Sequence, residues 1–284
     1  MHNPKLGFTW QIGDGSLLCE KTKITVVDQF RSRDVAAGGQ GAPLIPIYHL
    51  AIAKNFINAS HQAICEKLKT NNSVCFLNVG GVSNITFINL NGYKEGIFDY
   101  NQMIAFDTGP GNALLDDWIR EHSNLQYDDD GKISVGGSAD ISLIDQWLAN
   151  EYFTLSPPKS LDRNTFKSVK EQIKKLSFED GAATLLQFTV KSIKKSIDFL
   201  PVAPAVWLVC GGGRKNSTLM NALRNEFNTS IVDSVDSIGM NGDMIEAEGF
   251  AFMAARSLLK LPISFPTTTG CHSPITGGSI HYYS

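Results

Sequence analysis

The glycines of this chain gather in pairs and triplets that directly follow short apolar segments. Gly80-Gly81 comes after Val74–Val79, and Gly211–Gly213 comes after Val206–Cys210. Paired glycines behind an apolar strand indicate that the backbone approaches another group closely, whereas scattered glycines usually mark turns. The pattern therefore predicts a sheet whose strands end in glycine-rich loops suited to a close approach.

Strand–turn–helix units dominate the second half of the chain. A long amphipathic helix is predicted over Gly181–Leu200, and Val206–Cys210 leads into a predicted helix over about Ser217–Phe227. Earlier in the chain, Val74–Val79 and Ile85–Leu90 predict a hairpin, because a short glycine-containing turn separates two β-type segments. This order of elements favours an α/β fold in which helices flank a sheet.

The composition argues against several classes of protein. The 25 Lys and Arg residues and the 28 Asp and Glu residues give a net charge of −3, so charge provides no argument for binding nucleic acid or an anionic membrane. No apolar segment approaches the roughly 20 residues of a membrane span, and the first residues lack a signal-peptide pattern. The five cysteines include no C-x-x-C pair, which argues against disulfides and structural zinc. We therefore expect a reduced, soluble, cytoplasmic protein.

Asp107 is the first candidate for a catalytic residue. It ends the apolar segment Ile104–Phe106 and precedes Gly109-Pro110-Gly111. A carboxylate at the end of a strand is partly desolvated and is held on rigid backbone, which suits a general base or a magnesium ligand. Two alternatives remain open, namely an N-cap of the following helix and a tight turn around the glycines.

Two glycine-rich loops are candidates for phosphate and nucleotide binding. At the hairpin tip around Gly80-Gly81, several backbone N–H groups can converge on an anion, although glycines in an ordinary hairpin turn explain the same pattern. In the segment from Gly211 to Asn216, the exposed N–H groups of a helix N-terminus would suit the phosphates or ribose of a nucleotide. A plain turn is the alternative there.

Charged residues in two further segments are candidates for substrate contacts. Arg31 and Arg33 follow a β-type segment and could hold a carboxylate between them, although two arginines on a solvated loop are the alternative. Glu246 and Glu248 lie in an otherwise apolar predicted helix. Because they are two positions apart, they cannot share one helix face, so at most one of them faces a cleft.

Together and in this order, these segments resemble the anhydro-N-acetylmuramic acid kinase family over essentially the whole chain. Each segment alone is weakly specific, whereas the combination is far more so. The segments that carry the resemblance are FRSRDVAAGGQGAPL (Phe30–Leu44), NVGGVSNITF (Asn78–Phe87), FDTGPGNALLDDW (Phe106–Trp118), PPKS (Pro157–Ser160), CGGGRKNSTLM (Cys210–Met220) and MIEAEGFAFMAAR (Met244–Arg256).

The resemblance implies an α/β fold of the actin- and hexokinase-like type, in which two RNase-H-like lobes surround a nucleotide cleft. In this division, residues 1–72 form the remainder of the N-terminal lobe and a connecting helix. Residues 73–284 form the C-terminal nucleotide-binding lobe, and its last residues can return to the first lobe. The S-G-T-S-x-D-G phosphate loop and the H-G-Q-T motif of the family are absent from this sequence. We therefore expect an incomplete N-terminal lobe, little activity of the chain alone, and association as a homodimer or with a complementing N-terminal fragment.

The resemblance also implies an activity in cell-wall recycling. Such kinases open the anhydro ring of anhydro-N-acetylmuramic acid with water and phosphorylate it from ATP with Mg²⁺, so the expected partner is a small sugar. Another sugar kinase of the same superfamily and an inactive remnant are the alternatives. The residues assigned by the resemblance are Asp107 as the base and as a magnesium ligand; Gly80, Gly81, Asn84, Gly109, Gly211, Gly212, Gly213 and Asn216 at the nucleotide; and Arg33, Asp34, Gln40 and Glu246 at the sugar.

Overall fold

The structure is a computed structural model that describes residues 1–56, 62–94, 97–162 and 165–283. None of the helices in these ranges is long and apolar enough to cross a membrane. The strands are β1 (His2–Asn3), β2 (Phe8–Thr9), β3 (Val26–Asp28), β4 (Ser73–Val79), β5 (Val82–Asn89), β6 (Tyr93–Lys94), β7 (Ile97–Phe98), β8 (Met103–Pro110), β9 (Val206–Cys210), β10 (Ile231–Ser234) and β11 (Ser279–His281). The α-helices are α1 (Gly15–Thr22), α2 (Phe30–Ala36), α3 (Pro46–Phe56), α4 (Gln62–Thr70), α5 (Ala113–His122), α6 (Ile141–Leu148), α7 (Val169–Gln172), α8 (Phe178–Lys195), α9 (Ser217–Glu226), α10 (Ile245–Leu258) and α11 (Pro266–Thr269).

Five strands form one mixed sheet in the order β10-β9-β4-β5-β8. Strands β4, β9 and β10 are parallel, and β5 pairs antiparallel with both β4 and β8. The predicted hairpin is confirmed as β4–β5, with Gly80 and Gly81 in the turn between Val79 and Val82. Because β5 reverses direction, the carboxyl ends of β4, β8 and β9 lie at the same edge of the sheet as the hairpin tip.

Side chains alternate between the two faces of this sheet and supply two apolar cores. One face contributes Leu77, Ile85 and Trp207 to a cluster with residues of α5, α6, α8 and α9. The other face contributes Phe76 and Leu208 to a cluster with residues of α3, α4 and α10. Because both faces are covered, β4 is a nearly continuous apolar segment instead of an alternating one.

The apolar core that includes α3, α4 and α10 contains residues from both sides of the predicted division at residue 72. Helices α3 and α4 precede that point, yet their apolar residues pack with the central sheet, which follows it. Conversely, β11 pairs antiparallel with β3, so Ser279–His281 return to the first part of the chain. The division itself stays a prediction.

Two local predictions and one alternative differ from the structure. The alternative of a solvated loop around the two arginines is excluded, because residues 30–36 form α2. This segment contains no glycine or proline, and the glycine-rich turn begins only after it. Strand β8 does not end at Asp107 but continues to Pro110, because β5 pairs with it over that length. The predicted long helix ends at Lys195, and Ser196–Phe199 continues it as a 3₁₀ turn.

The first helix and the ends of the small β3–β11 sheet expose large apolar side chains. Helix α1 contacts both strands of that sheet. Each of the following residues is more than 40% exposed, and together they are called the terminal apolar surface: Leu17, Leu18, Ile24, Tyr282 and Tyr283. A two-stranded sheet is marginal by itself, so this part of the molecule offers both unpaired strand edges and uncovered apolar area.

Candidate active site

Four side chains lie abreast on one face of the central sheet, at its carboxyl edge. The pairing register places Cys210 of β9 opposite Asn78 of β4. It also places Asn78 opposite Asn84 of β5, and Asn84 opposite Asp107 of β8. Residues directly opposite one another in neighbouring strands point to the same face. All four line one cavity of about 310 Å³.

Elements from distant parts of the chain close this first cavity. Residues of α2, of α10 and of the glycine-rich loop after β9 line it together with the sheet. The remaining lining residues are Arg31, Ala42, Pro43, Leu44, Ile45, Pro46, His49, Thr86, Gly211, Gly212, Arg214, Gly242, Asp243, Ile245, Glu246 and Phe250.

Asp107 is almost completely buried and is firmly held. The residue is 9% exposed, and the backbone N–H of Leu161 donates to its Oδ2 at 2.7 Å. The register of β5 and β8 shifts beside it, between Ser83 and Asn84, which is a bulge of the kind found near active sites. The N-cap of α5 is Asn112, so the N-cap alternative for Asp107 is excluded.

The pKa of Asp107 is raised to about 6, because burial removes solvation from the carboxylate. The Leu161 N–H and the charge of Arg31 oppose that rise. A carboxyl group with this pKa is largely ionised at neutral pH and is a stronger base than an exposed carboxylate. The electrostatics of the site therefore suit a general base.

Arg31 and Arg33, the two arginines that the sequence offers, separate on α2. Two positions along a helix lie on different faces. Arg31 lines the first cavity, and its Nη1 donates to the Gly41 carbonyl oxygen at 2.5 Å. Burial lowers the pKa of Arg31, while the charge of Glu246 opposes that change. Arg33 is exposed and is not among the residues that line the cavity.

Asp34 and Gln40 shape the turn beside the cavity and do not line it. The buried Asp34 carboxylate accepts from the Gly41 N–H at 2.7 Å and from the Thr269 hydroxyl at 2.6 Å. A Cβ atom on Gly39 would lie 2.2 Å from this carboxylate, so the turn requires glycine there. The Gln40 N–H donates to the Thr269 carbonyl oxygen at 2.7 Å. These contacts fix the backbone behind Arg31.

The two glutamates of α10 also separate. Glu246 lines the first cavity. Glu248 instead accepts a hydrogen bond of 2.6 Å from the Tyr48 hydroxyl. The helix therefore presents one carboxylate to the cavity and uses the other to bind α3.

Gly80 and Gly81 pack against the loop that follows β8. Their carbonyl oxygens accept from the N–H groups of Asn112 at 2.7 Å and of Gly111 at 3.1 Å. A Cβ atom on Gly111 would lie 2.2 Å from the Gly80 oxygen, so the two loops approach this closely only because residue 111 is glycine. Within the ranges that the structure describes, the N–H groups of Gly80 and Gly81 donate to no protein group.

Packing requires three of the other predicted glycines. A Cβ atom on Gly109 would lie 2.6 Å from Ser192 Oγ on α8. Gly211 has a φ of +74°, and a Cβ atom there would lie 2.3 Å from Asn78 Oδ1. Gly213 is equally crowded by β4. Packing against neighbouring elements therefore explains all three glycines. For Gly211 and Gly213, this is what the plain-turn alternative to nucleotide binding predicts.

Gly212 differs from its neighbours because nothing lies within 4 Å of a Cβ atom placed on it. It lines the first cavity and also a second cavity of about 330 Å³. Asn216 lines the second cavity and caps α9, because its Oδ1 accepts from the Leu219 N–H at 2.8 Å. The other residues of the second cavity are Asn112, Leu115, Asp116, Tyr127, Asp128, Asp129, Asp130 and Lys215.

Sequence reasoning missed His49, which also lines the first cavity. Its ring stacks on Phe76 with 4.5 Å between centroids, and its Nδ1 lies 2.9 Å from Thr86 Oγ1. Its Nε2 has no hydrogen-bond partner in the described part of the protein. Burial lowers the pKa of His49 to about 3, so the ring is neutral at physiological pH. No local pattern in α3 indicates this position, since tertiary packing alone creates it.

Comparison with known proteins points to one family. Residues 1–283 match the family described as Anhydro-N-acetylmuramic acid kinase. An anhydro-N-acetylmuramic acid kinase of Zymomonas mobilis is 46% identical over 281 residues, which cover 99% of this chain and 70% of that protein. The protein of the same name from Rhodospirillum rubrum is 43% identical over 279 residues, covering 98% and 68%. A solved structure, the activator of the 2-hydroxyisocaproyl-CoA dehydratase from Clostridium difficile with bound ADPNP, has a TM-score of 0.41 and 15% identity, covering 68% and 66%.

The raised pKa of Asp107 predicts how the Asp107→Asn variant changes stability with pH. The pKa of Asp107 is about 6 in the folded state and 3.8 ordinarily. Between pH 3.8 and about 6, the folded state therefore binds more protons than the unfolded state. The contribution of this group to stability therefore falls as the pH rises through that window. Because asparagine carries no charge, we expect the variant to be more stable at pH 7.5 by about 1–3 kcal/mol.

Urea denaturation at pH 7.5, 6.0 and 4.5 measures this difference, which should shrink towards the lowest pH. Asp145→Asn, on the exposed side of α6, is the control for removing a carboxylate. An Asp107→Asn variant that is less stable than the unchanged chain at pH 7.5 would contradict the expectation.

Proposed function

Because the chain belongs to the anhydro-N-acetylmuramic acid kinase family, we propose that it opens the 1,6-anhydro ring of anhydro-N-acetylmuramic acid with water and phosphorylates the released O6 from ATP. The product is N-acetylmuramate 6-phosphate. The single observation that carries the assignment of the site is the buried Asp107 carboxylate, which ends a row of polar side chains in the first cavity.

Asp107 accepts the proton in this proposal. The oxygen of a water molecule forms a bond to C1 while the bond between C1 and O6 breaks. The released O6 forms a bond to the γ-phosphorus of ATP, and the bond from that phosphorus to the bridging oxygen of ADP breaks. The proton of the water passes to Asp107, whose raised pKa and rigid strand suit a general base.

The first cavity has the chemistry of a sugar acid site. Asn78 offers both donors and acceptors to hydroxyl and N-acetyl groups. Asn84, which the resemblance assigned to the nucleotide, lines the same cavity, and we propose that it contacts the sugar as well. We propose that Arg31 offers a guanidinium to the lactyl carboxylate, because Arg31 lines the cavity and Arg33, which the resemblance placed at the sugar, does not. Glu246 can accept from a sugar hydroxyl. Asp34 and Gln40 act on the sugar only through the turn that they shape.

The nucleotide would pass from one cavity to the other along Gly212. Its triphosphate would lie by the first cavity. Gly80 and Gly81 line neither cavity, so their N–H groups would reach a phosphate only from the hairpin tip at the edge of the site. Its adenosine would occupy the second cavity beside Asn216. This arrangement is supported by the open space over Gly212, which lets a ligand lie directly against the backbone.

Magnesium would be held mainly by the nucleotide. Among the residues that the structure describes, no three His, Cys, Asp or Glu side chains form a group that could bind a metal ion. Asp107 could therefore supply one ligand at most, with phosphate oxygens and water supplying the others, which is usual for Mg²⁺ bound with a phosphate substrate. The bound ion would neutralise charge on the polyphosphate.

We also propose that the central sheet belongs to the C-terminal lobe of an actin- and hexokinase-like fold, divided from a first lobe near residue 72. A ligand site at the carboxyl edge of an open α/β sheet supports this proposal. The pairing of β11 with β3 supports the return of the last residues to the first lobe.

We expect the terminal apolar surface to bind either a second copy of this chain or a complementing fragment. Uncovered apolar area and unpaired strand edges favour association. Light scattering at increasing concentration should show species heavier than the monomer, and Leu17→Glu with Ile24→Glu should reduce them. Ile97→Glu, at another exposed apolar residue, is the matched control. A chain that remains monomeric at every concentration and gains no partner would refute this expectation.

Asp107→Asn should lower the turnover number at least about 100-fold and change sugar binding little, because it keeps the shape of the side chain and removes its basicity. The measurement is ADP release with anhydro-N-acetylmuramic acid, with mass spectrometry of the product and Asp145→Asn as the control. Near-normal turnover of the variant would exclude the role of Asp107. Phosphorylation of plain hexoses in place of the anhydro sugar would support another sugar kinase of the superfamily.

Gly212→Val should weaken ATP binding at least about tenfold while the fold is retained, because the branched side chain would enter the space proposed for the nucleotide. Calorimetric titration with ATP and Mg²⁺ measures the affinity, and circular dichroism checks the fold. Gly136→Val is the matched control, since that glycine is exposed and lies outside both cavities. Unchanged affinity would favour the plain-turn alternative.

A further inference from the structure

The segment Pro157–Leu161 runs alongside β8 at the position of Asp107. The Asp107 N–H donates to the Lys159 carbonyl oxygen at 3.1 Å. Two residues further on, the Leu161 N–H donates to Asp107 Oδ2 at 2.7 Å. Both the backbone and the carboxylate of Asp107 are therefore bound by one short segment.

Tyr152 binds the same residue from another side. Its hydroxyl donates to the Asp107 carbonyl oxygen at 2.5 Å. The tyrosine is buried, and burial raises its pKa, so the hydroxyl keeps the proton that it donates. With this bond, the N–H, the C=O and the carboxylate of Asp107 all have fixed partners.

Lys159 connects the segment Pro157–Leu161 to Tyr152. Its Nζ donates to the Tyr152 carbonyl oxygen at 3.0 Å, although the residue is only 8% exposed. The ammonium group lies 4.3 Å from the ring centroid of Phe199 and 4.8 Å from that of Tyr152. In the described ranges, burial lowers the pKa of Lys159 and no carboxylate opposes that change.

A buried ammonium group without a carboxylate partner is costly, and an apolar side chain would fill the same space at less cost. Aromatic faces and a carbonyl oxygen offset part of that cost. The contacts that Lys159 does make connect the segment bearing the Leu161 N–H to the tyrosine that binds Asp107. The lysine is thus placed to hold that segment against β8.

We propose that Tyr152 and Lys159 are positioning residues, which keep the Asp107 carboxylate in place by holding the Leu161 N–H against it. Neither side chain needs to touch a substrate for this role. The consequence for catalysis rests on the proposed function of Asp107 as the base, whereas the consequence for the geometry does not.

Tyr152→Phe and Lys159→Met test the geometry without requiring turnover. The first keeps the ring and removes one hydroxyl, and the second keeps the length of the side chain and removes the charge. In nitrogen–proton spectra of the isotope-labelled chain, we expect the Leu161 amide proton to move upfield and to exchange with solvent at least about tenfold faster in both variants. Asp107→Asn identifies the signal, because it changes the acceptor of that amide.

Lys194→Met is the matched control, because Lys194 also donates to a carbonyl oxygen and also lies over an aromatic ring, but on α8. It should leave the Leu161 amide unchanged. Melting temperature and near-ultraviolet circular dichroism establish that each variant is folded. An unchanged Leu161 signal in folded Tyr152→Phe and Lys159→Met would overturn the proposal.

Turnover separates this proposal from the proposed function. If Asp107→Asn abolishes phosphorylation, Tyr152→Phe and Lys159→Met should lower kcat about tenfold and leave the KM for ATP within about twofold, since positioning acts on the reacting geometry. Unchanged kcat in these two variants, beside an inactive Asp107→Asn, would refute the positioning role alone. An active Asp107→Asn would refute the role of Asp107 as the base.

Discussion

The site depends on the register of the central sheet, which brings Asn78, Asn84 and Asp107 into one row across three strands. Because side chains alternate between faces, a slip of one residue in β5 would move Asn84 into the opposite apolar core and bring Ile85 to the cavity. Both faces of the sheet are covered, so such a slip would bury polar groups without partners. Polar side chains are tolerated in this row because it lines the first cavity at the carboxyl edge of the sheet.

Features with a local cause could be predicted from the sequence. The β4–β5 hairpin follows from two apolar segments around a glycine pair, and the path from β9 into α9 follows from an apolar strand, glycines and a helical pattern. Asp107 could be identified because a lone carboxylate directly behind an apolar segment is unusual. The loop alternative at α2 has a local cause as well, since its two arginines and small residues resemble a solvated loop.

Features that arise from distant contacts could not be predicted. The carboxylate of Asp34 binds Thr269, which lies 235 residues further along the chain. Distant contacts also determine which of the two arginines faces the cavity. They explain as well why Gly212 alone, among three successive glycines, has open space beside it. Residue type and spacing are identical for these alternatives, so only the packed structure distinguishes them.

The pairing of β3 with β11 has a consequence for how this protein is made. A ribosome releases the chain from its first residue onwards, and domains generally fold in that order. Val26–Asp28 can nevertheless pair only after Ser279–His281, far later in the chain, have been synthesised. Arg31 lines a cavity that also needs Glu246 and Phe250, so this cavity is complete only after α10 has been synthesised. The central sheet, whose last strand along the chain ends at Ser234, can therefore form before the cavity is complete.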